Sequence, residues 1–280
     1  MTCEICHGSR WKRVEVDGVE SVVRCDCWRA ALAERLVAEA RIPPRFTRAD
    51  LDTYLPDTDS QRDALARARN FVAAFPAVDK GLLFYGPSGV GKTHLAVGVL
   101  KALVREKGAS GFFFETRELL RMVRDTYNRA AEETEMEVLR PVLHADVLVL
   151  DDLGAERTSE WVQETLGLVV NTRYNACRAT IVTSNLIDPL DNDDPRSFAF
   201  QVGVRTRSRL LEMCSWVEVQ GHDIRDPERV QAAAHRGQLP SDPTNIRKKG
   251  LPARSGGMAR ASLRDDRGAD LRWSGGKAGS

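Results

Sequence analysis

Residues Leu82 to Leu95, LLFYGPSGVGKTHL, constrain this chain more than any other stretch. They contain Gly86-Pro87-Ser88-Gly89-Val90-Gly91-Lys92-Thr93, a full match to the pattern G-x-x-x-x-G-K-[ST]. An apolar run, Leu82 to Tyr85, precedes it and reads as a buried strand. A helical pattern follows through Leu95, Ala96, Val99, Leu100 and Leu103. Strand, glycine loop and helix N-terminus together build an anion site, because free backbone N–H groups and the positive end of the helix dipole face the phosphates. Gly86, Gly89 and Gly91 allow the backbone to curl without Cβ clashes. Lys92 is expected to reach the β- and γ-phosphates of ATP, and the Thr93 hydroxyl to ligate Mg²⁺.

A second apolar strand, Val147 to Leu150, runs directly into Asp151 and Asp152. Buried parallel strands read as unbroken apolar runs. Carboxylates at their C-terminal ends sit where open α/β sheets bind ligands. This is a Walker B pattern: Asp151 is expected to hold Mg²⁺ through water, and Asp152 to polarise the attacking water.

With 280 residues the chain has room for one sizeable core plus appendages. A net charge of +1 gives no global field to recruit nucleic acid, so such binding needs a local patch. The opening MTCEICHGSR has no apolar signal core, and no run approaches membrane-spanning length. The expectation is a cytoplasmic protein without a membrane partner. Cysteines in that setting serve as thiols or metal ligands rather than disulfides. Cys3 and Cys6 form C-x-x-C, and Cys25 and Cys27 form C-x-C after an eighteen-residue insert. Two close pairs suit tetrahedral Zn²⁺. The insert, with Trp11, Val14, Val16, Val19, Val22 and Val23 about Asp17-Gly18, reads as a hairpin. So short a segment buries little surface, and metal would supply its folding energy. Cys6-His7 completes the haem-attachment pattern C-x-x-C-H, but haem leaves the second cysteine pair unexplained; His7 is an alternative zinc ligand. Cys177 and Cys214 stand alone and read as core thiols.

Further helices are expected over Trp28–Ala40, Asp59–Phe75, from Thr116, over Glu132–Val142, Trp161–Tyr174 and Val202–Met213. Strands are expected over Gly111–Phe114, Ala179–Thr183 and Ser215–Val219, with an acidic, proline-broken loop at Asp188–Pro195. From Arg229 onward the chain carries eleven basic and four acidic residues and little periodicity. Such a tail cannot offset its ordering entropy by burial and is expected to be disordered.

GPSGVGKTHL, VLVLDDLGAE, TIVTSNL, RTRSRLLEMC and VEVQGHDIR together resemble the AAA+ ATPases of the DnaC/DnaI helicase-loader and IstB group, over roughly Ile42 to Arg225. CEICHGSRW…RCDC resembles the zinc-binding region that some loaders carry, and IPPRF resembles the family's lead-in to the ATPase core. The resemblance implies an α/β fold: a P-loop AAA+ parallel sheet with helices on both faces, after a small zinc-binding segment and before a disordered tail. The implied divisions are residues 1–30 (zinc), 31–58 (helix and linker), 59–226 (ATPase domain) and 227–280 (basic tail). It implies that Asn185 is sensor 1 and that Arg209 is an arginine finger acting on a neighbouring subunit, with Arg205 and Arg207 as rivals. Arg225 matches a reduced sensor 2, although no lid domain follows. Asp152 stands where AAA+ proteins usually have Glu, and a shorter carboxylate suits a slow switch.

The arginine-rich helix from Arg117 to Arg129 matches the region that lines a single-strand groove in such loaders, with Tyr127 placed to stack a base. The implied function is an ATPase that binds a replicative helicase through its N-terminal region, self-associates through its ATPase domain, and delivers the helicase to single-stranded DNA. Two alternatives stand: a transposition helper acting on duplex DNA with a transposase, and an ATP-gated adaptor with little turnover. The zinc segment favours the loader.

Overall fold

The computed structural model describes residues 3–16, 19–128, 133–186, 194 and 197–225. The Asp17-Gly18 turn, Arg129, Glu132, most of the 188–195 loop and the basic tail lie outside them.

An antiparallel hairpin opens the chain. β1 (Trp11–Val16) pairs with β2 (Val19–Arg24), with Val16 opposite Val19. α1 (Asp26–Glu39) follows, then a 3₁₀ turn at Pro44–Phe46. α2 (Asp59–Ala74) starts at a capping box, in which Thr58 Oγ1 accepts from the Gln61 N–H and the Gln61 side chain accepts from the Thr58 N–H.

The central layer is a parallel five-stranded sheet. β3 (Gly81–Tyr85), β4 (Gly111–Glu115), β5 (Val147–Asp151), β6 (Ala179–Ser184) and β7 (Cys214–Glu218) lie in the order β4-β5-β6-β3-β7. Between them run α3 (Lys92–Ala102, continued by a π-turn to Lys107), α4 (Thr116–Asp125), α5 (Glu135–His144), α6 (Glu160–Asn175), α7 (Phe198–Val202) and α8 (Val204–Met213). Alternate strand residues feed two cores, because successive side chains leave opposite faces of a strand. Leu82, Phe84, Val147 and Val149 pack with α2, α3 and the 40–54 segment; Leu83, Leu148 and Leu150 pack with α4, α5, α6, α7 and α8. The sheet is therefore covered on both faces, as an all-parallel sheet requires.

Several expectations need correction. The helix expected over Val202–Met213 begins at Val204; Val202 instead ends α7, a short helix not expected from the sequence, and Gly203 with φ 88° separates the two. The helix expected from Glu132 begins at Glu135, where Thr134 and Glu137 form a capping box, and it runs past Val142 to His144 with Pro141 inside. Cys214 is buried as expected, but Cys177 is exposed on the α6–β6 turn with φ 49°. It follows the helix end and points away from the core that the apolar face of α6 fills.

Candidate functional site

The loop after β3 wraps onto the N-terminus of α3. Gly89 has φ 81°, and a Cβ there would lie 1.9 Å from Asp223 Oδ1, so the loop needs glycine for both conformation and space. Its apex is held from behind: Val90 O accepts from Tyr54 OH at 3.2 Å and from Gln61 Nε2 at 3.1 Å. Lys92 is only 6% exposed and folds back into the loop it follows. Its Nζ donates to Gly86 O (2.8 Å), Pro87 O (2.6 Å) and Asn185 Oδ1 (2.8 Å). All three partners are neutral. Burial pulls the ammonium down to about 8, against the attraction of Asp152 and Asp151.

Asp151 ends β5 inside the cleft. Its Oδ1 accepts from Thr93 Oγ1 at 2.8 Å and Thr183 Oγ1 at 2.6 Å, and burial raises its pKa. Its Oδ2 has no hydrogen-bond partner among the described residues. A buried carboxylate beside a threonine hydroxyl is a donor set suited to a hard, oxygen-loving cation such as Mg²⁺.

Asp152 takes φ 56°. Asp enters this left-handed region more readily than most residues, so this backbone conformation suits it. Its N–H donates to Thr183 Oγ1 at 2.9 Å, and its Oδ1 accepts from Asn185 Nδ2. Asn185 thus spans the distance between the P-loop lysine and the second carboxylate. One amide is sensitive to both ends of the site.

The cleft measures about 750 Å³, and Arg225 is among the residues that line it. Ile224 N–H donates to Gly89 O at 3.1 Å, which fixes the segment carrying Arg225 beside the loop. The cleft also includes Arg45, Arg48, His94 and Glu115, which the motifs did not single out. The only signal was indirect: Arg45 lies in the IPPRF lead-in, and His94 directly follows the P-loop. Arg205, Arg207 and Arg209 do not line this cleft. They occupy α8, where the charge of Arg209 acts on Tyr174 of α6.

The arginines of α4 gather elsewhere. Arg117, Arg121 and Arg124 line a hollow of about 400 Å³ with Glu156 and Arg157. Arg117 donates to Ala155 O, and Arg124 lies 4.7 Å over the Trp161 ring. Trp161 Nε1 donates to Tyr127 OH at 3.2 Å, and Tyr127 is 56% exposed. Trp161, Glu156 and Arg157 were missed from sequence, because only the fold brings the 155–161 segment beside α4.

At the N-terminus the sulfurs of Cys3, Cys6, Cys25 and Cys27 all lie within 4.8 Å of one another, and His7 is not among them. Cys3 and Cys25 are 3.8 Å apart, and Cys6 and Cys27 3.3 Å. Tetrahedral Zn²⁺ with Zn–S bonds near 2.3 Å spaces its sulfurs about 3.8 Å apart, so four thiols gathered this way suit that ion. Arg24 lies 4.2 Å over Trp11 and 4.9 Å over Trp28, tying the hairpin to α1.

Residues 22–232 match the family of IstB-like ATP binding proteins, about three quarters of the chain. The chain belongs to that family. It is 26% identical over 157 residues to the replicative helicase loader DnaC of Escherichia coli K12, a match spanning 56% of this chain and 63% of that protein. A crystal structure of the DnaC helicase loader is 38% identical, with TM-score 0.56, over 64% of this chain and 100% of that one. The crystal structure of DnaI is 26% identical, with TM-score 0.53, over 64% and 95%. The parallel sheet with its P-loop is thus the AAA+ arrangement of this family, whose members bind ATP. No helix among the described residues is long and apolar enough to cross a membrane.

Proposed function

We propose that this IstB-like protein hydrolyses ATP and uses the nucleotide state to load a replicative helicase onto single-stranded DNA. The observation that carries this reading is the 152–157 loop. Its first residue is the second Walker B carboxylate, and Asp152 O accepts from Ala155 N–H at 3.3 Å. Ala155 O in turn accepts from Arg117, and Glu156 and Arg157 line the arginine-rich hollow. A change at the terminal phosphate therefore has a short covalent and hydrogen-bonded route to a surface suited to a phosphodiester backbone. The likeness to helicase loaders supports this reading over a transposition helper.

In this scheme Thr93 and Asp151 would hold Mg²⁺, whose chemistry when bound is charge neutralisation and orientation of the phosphates. Lys92 leaves its carbonyl partners for the β- and γ-phosphates. Asp152 accepts a hydrogen bond from the attacking water, and Asn185 orients it. Arg225 contacts the nucleotide in the same chain, and Arg209 reaches the site of a neighbour after self-association. Residues 59–226 would form the ATPase domain. Residues 1–30 would form a zinc-bound module that docks on the helicase, joined through residues 31–58.

Phosphate release with and without oligo-dT, and anisotropy of a labelled oligo-dT with Mg·ATP or Mg·ADP, test the reading. Binding should tighten several-fold with ATP over ADP, and the oligonucleotide should change turnover. ATP-dependent binding with negligible turnover would leave the ATP-gated adaptor reading in its place, and nucleotide-independent binding would overturn both.

Elemental analysis should give one Zn²⁺ per chain. Cys3→Ser or Cys25→Ser should release it and unfold the first thirty or so residues, because metal supplies most of the folding energy of so small a module. ATP binding should survive, since the sheet has its own two cores. Freshly reduced protein without metal would refute the zinc site.

A further inference from the structure

The segment that crosses from α1 to α2 is unusually well anchored. At its start, Ala40 O accepts from the Phe113 N–H at 2.8 Å, at the edge of the sheet. Beyond the 3₁₀ turn, Lys101 of α3 reaches out of the core at 2% exposure. Its Nζ donates to Thr47 O (2.9 Å), Ala49 O (2.8 Å) and Asp50 Oδ2 (2.8 Å). Arg105 Nη1 binds the other oxygen of Asp50 at 2.7 Å. A buried ammonium spent on two backbone carbonyls and a carboxylate holds residues 47–50 in one place, because each lost partner would leave a buried polar group unsatisfied. Phe46 packs 6.4 Å from Phe113.

Arg45 stands between these anchors. Its guanidinium lies 4.5 Å over the Phe46 ring, and it lines the nucleotide cleft. Seven other arginines of the described chain make ion pairs, yet Arg45 makes none among the described residues. Glu115, which also lines the cleft, pairs with Asp151 across β4 and β5. Arg45 therefore shares the cleft with the carboxylates at the end of β5, Asp151 and Asp152.

Resting on the ATP-binding reading of the P-loop, we propose that Arg45 binds the terminal phosphate of ATP within its own chain and lets the protein distinguish ATP from ADP. A guanidinium held over a ring, on a pinned turn, is pre-organised for a planar fork on phosphate oxygens. ADP lacks the group that this fork would take. Arg45 is thereby distinct from Arg225, on the loop side, and from Arg209, which does not line the cleft.

The test is titration of the full chain with Mg·ADP and with the non-hydrolysable Mg·adenylyl-imidodiphosphate. Arg45→Ala should weaken the triphosphate analogue about tenfold, the value of a charge-assisted hydrogen bond of about 1.4 kcal/mol. ADP affinity should change less than twofold, and Arg45→Lys should recover part of the loss. Equal losses for both nucleotides, or none for either, would overturn the proposal. Lys92→Ala serves as the control: if it leaves both affinities unchanged, the P-loop reading itself has failed, an outcome separate from the failure of Arg45 alone.

Discussion

Lys92→Ala should abolish detectable ATP binding while the protein keeps its circular dichroism and cooperative thermal unfolding. Lys92 offers up to three charge-assisted hydrogen bonds to phosphate. Two of them, at about 1.5–3 kcal/mol each, correspond to a loss on the order of a hundredfold or more. The fold should hold because the lysine's partners in the free protein are neutral acceptors at the loop surface of the cleft, and because removing a desolvated ammonium relieves its burial cost. The same lysine sets a pH dependence for the unsubstituted protein. Burial lowers its pKa to about 8, and bound phosphates would raise it again. ATP binding then takes up a proton above that value. Affinity should be flat below about pH 7 and fall by up to tenfold per unit as pH rises past about 8. Isothermal titration at constant free Mg²⁺ reads both effects. An unchanged affinity in Lys92→Ala would sink the P-loop assignment, and a flat profile to pH 9.5 would contradict the depressed lysine.

Arg209→Ala should keep ATP affinity and lower turnover roughly 10³-fold, the effect of losing an arginine finger supplied by a neighbour. The argument is geometric. Arg209 lies on α8 and does not line the cleft that Lys92, Asp151 and Asp152 line, as expected of a residue that acts on a neighbour's nucleotide. Its loss would spare binding and remove charge stabilisation only in the transition state. Asp152→Asn should likewise bind Mg·ATP without hydrolysing it. Mixing the two variants gives the sharper measurement. Some sites in a mixed assembly pair an intact Asp152 with an intact Arg209, and phosphate release should partly return. If the mixture assembles yet stays inactive, Arg209 does not act between subunits, and Arg205 or Arg207 takes its place as candidate.

Local chemistry made much of the site legible before any fold was known. The P-loop is contiguous, and its strand, turn and helix signals agree with one another. Asp151 and Asp152 directly end an apolar strand, and the cysteine pairs carry their own spacing. The helix breaks were less legible: Gly203 at positive φ ends α7, a helix of five residues and too short to carry a periodic signal, and α8 begins just after it. Cys177 read as a core thiol because it is apolar and isolated, yet a helix end turned it outward.

The sequence by itself determined that this chain would build a phosphate-binding α/β sheet with a cysteine cluster ahead of it, since those features depend on neighbours within a few residues. Only the tertiary structure decided what joins them. Asn185 meets Lys92 across 93 positions, Lys101 pins Asp50 across 51, and Arg45, on a 3₁₀ turn, enters a cleft whose carboxylates lie at the end of β5. Such pairings follow from parallel strand register and from which buried polar groups can find partners once the sheet is assembled. No local pattern encodes them, because they are selected by the cost of leaving a desolvated polar group without a partner, which arises only once both partners are buried.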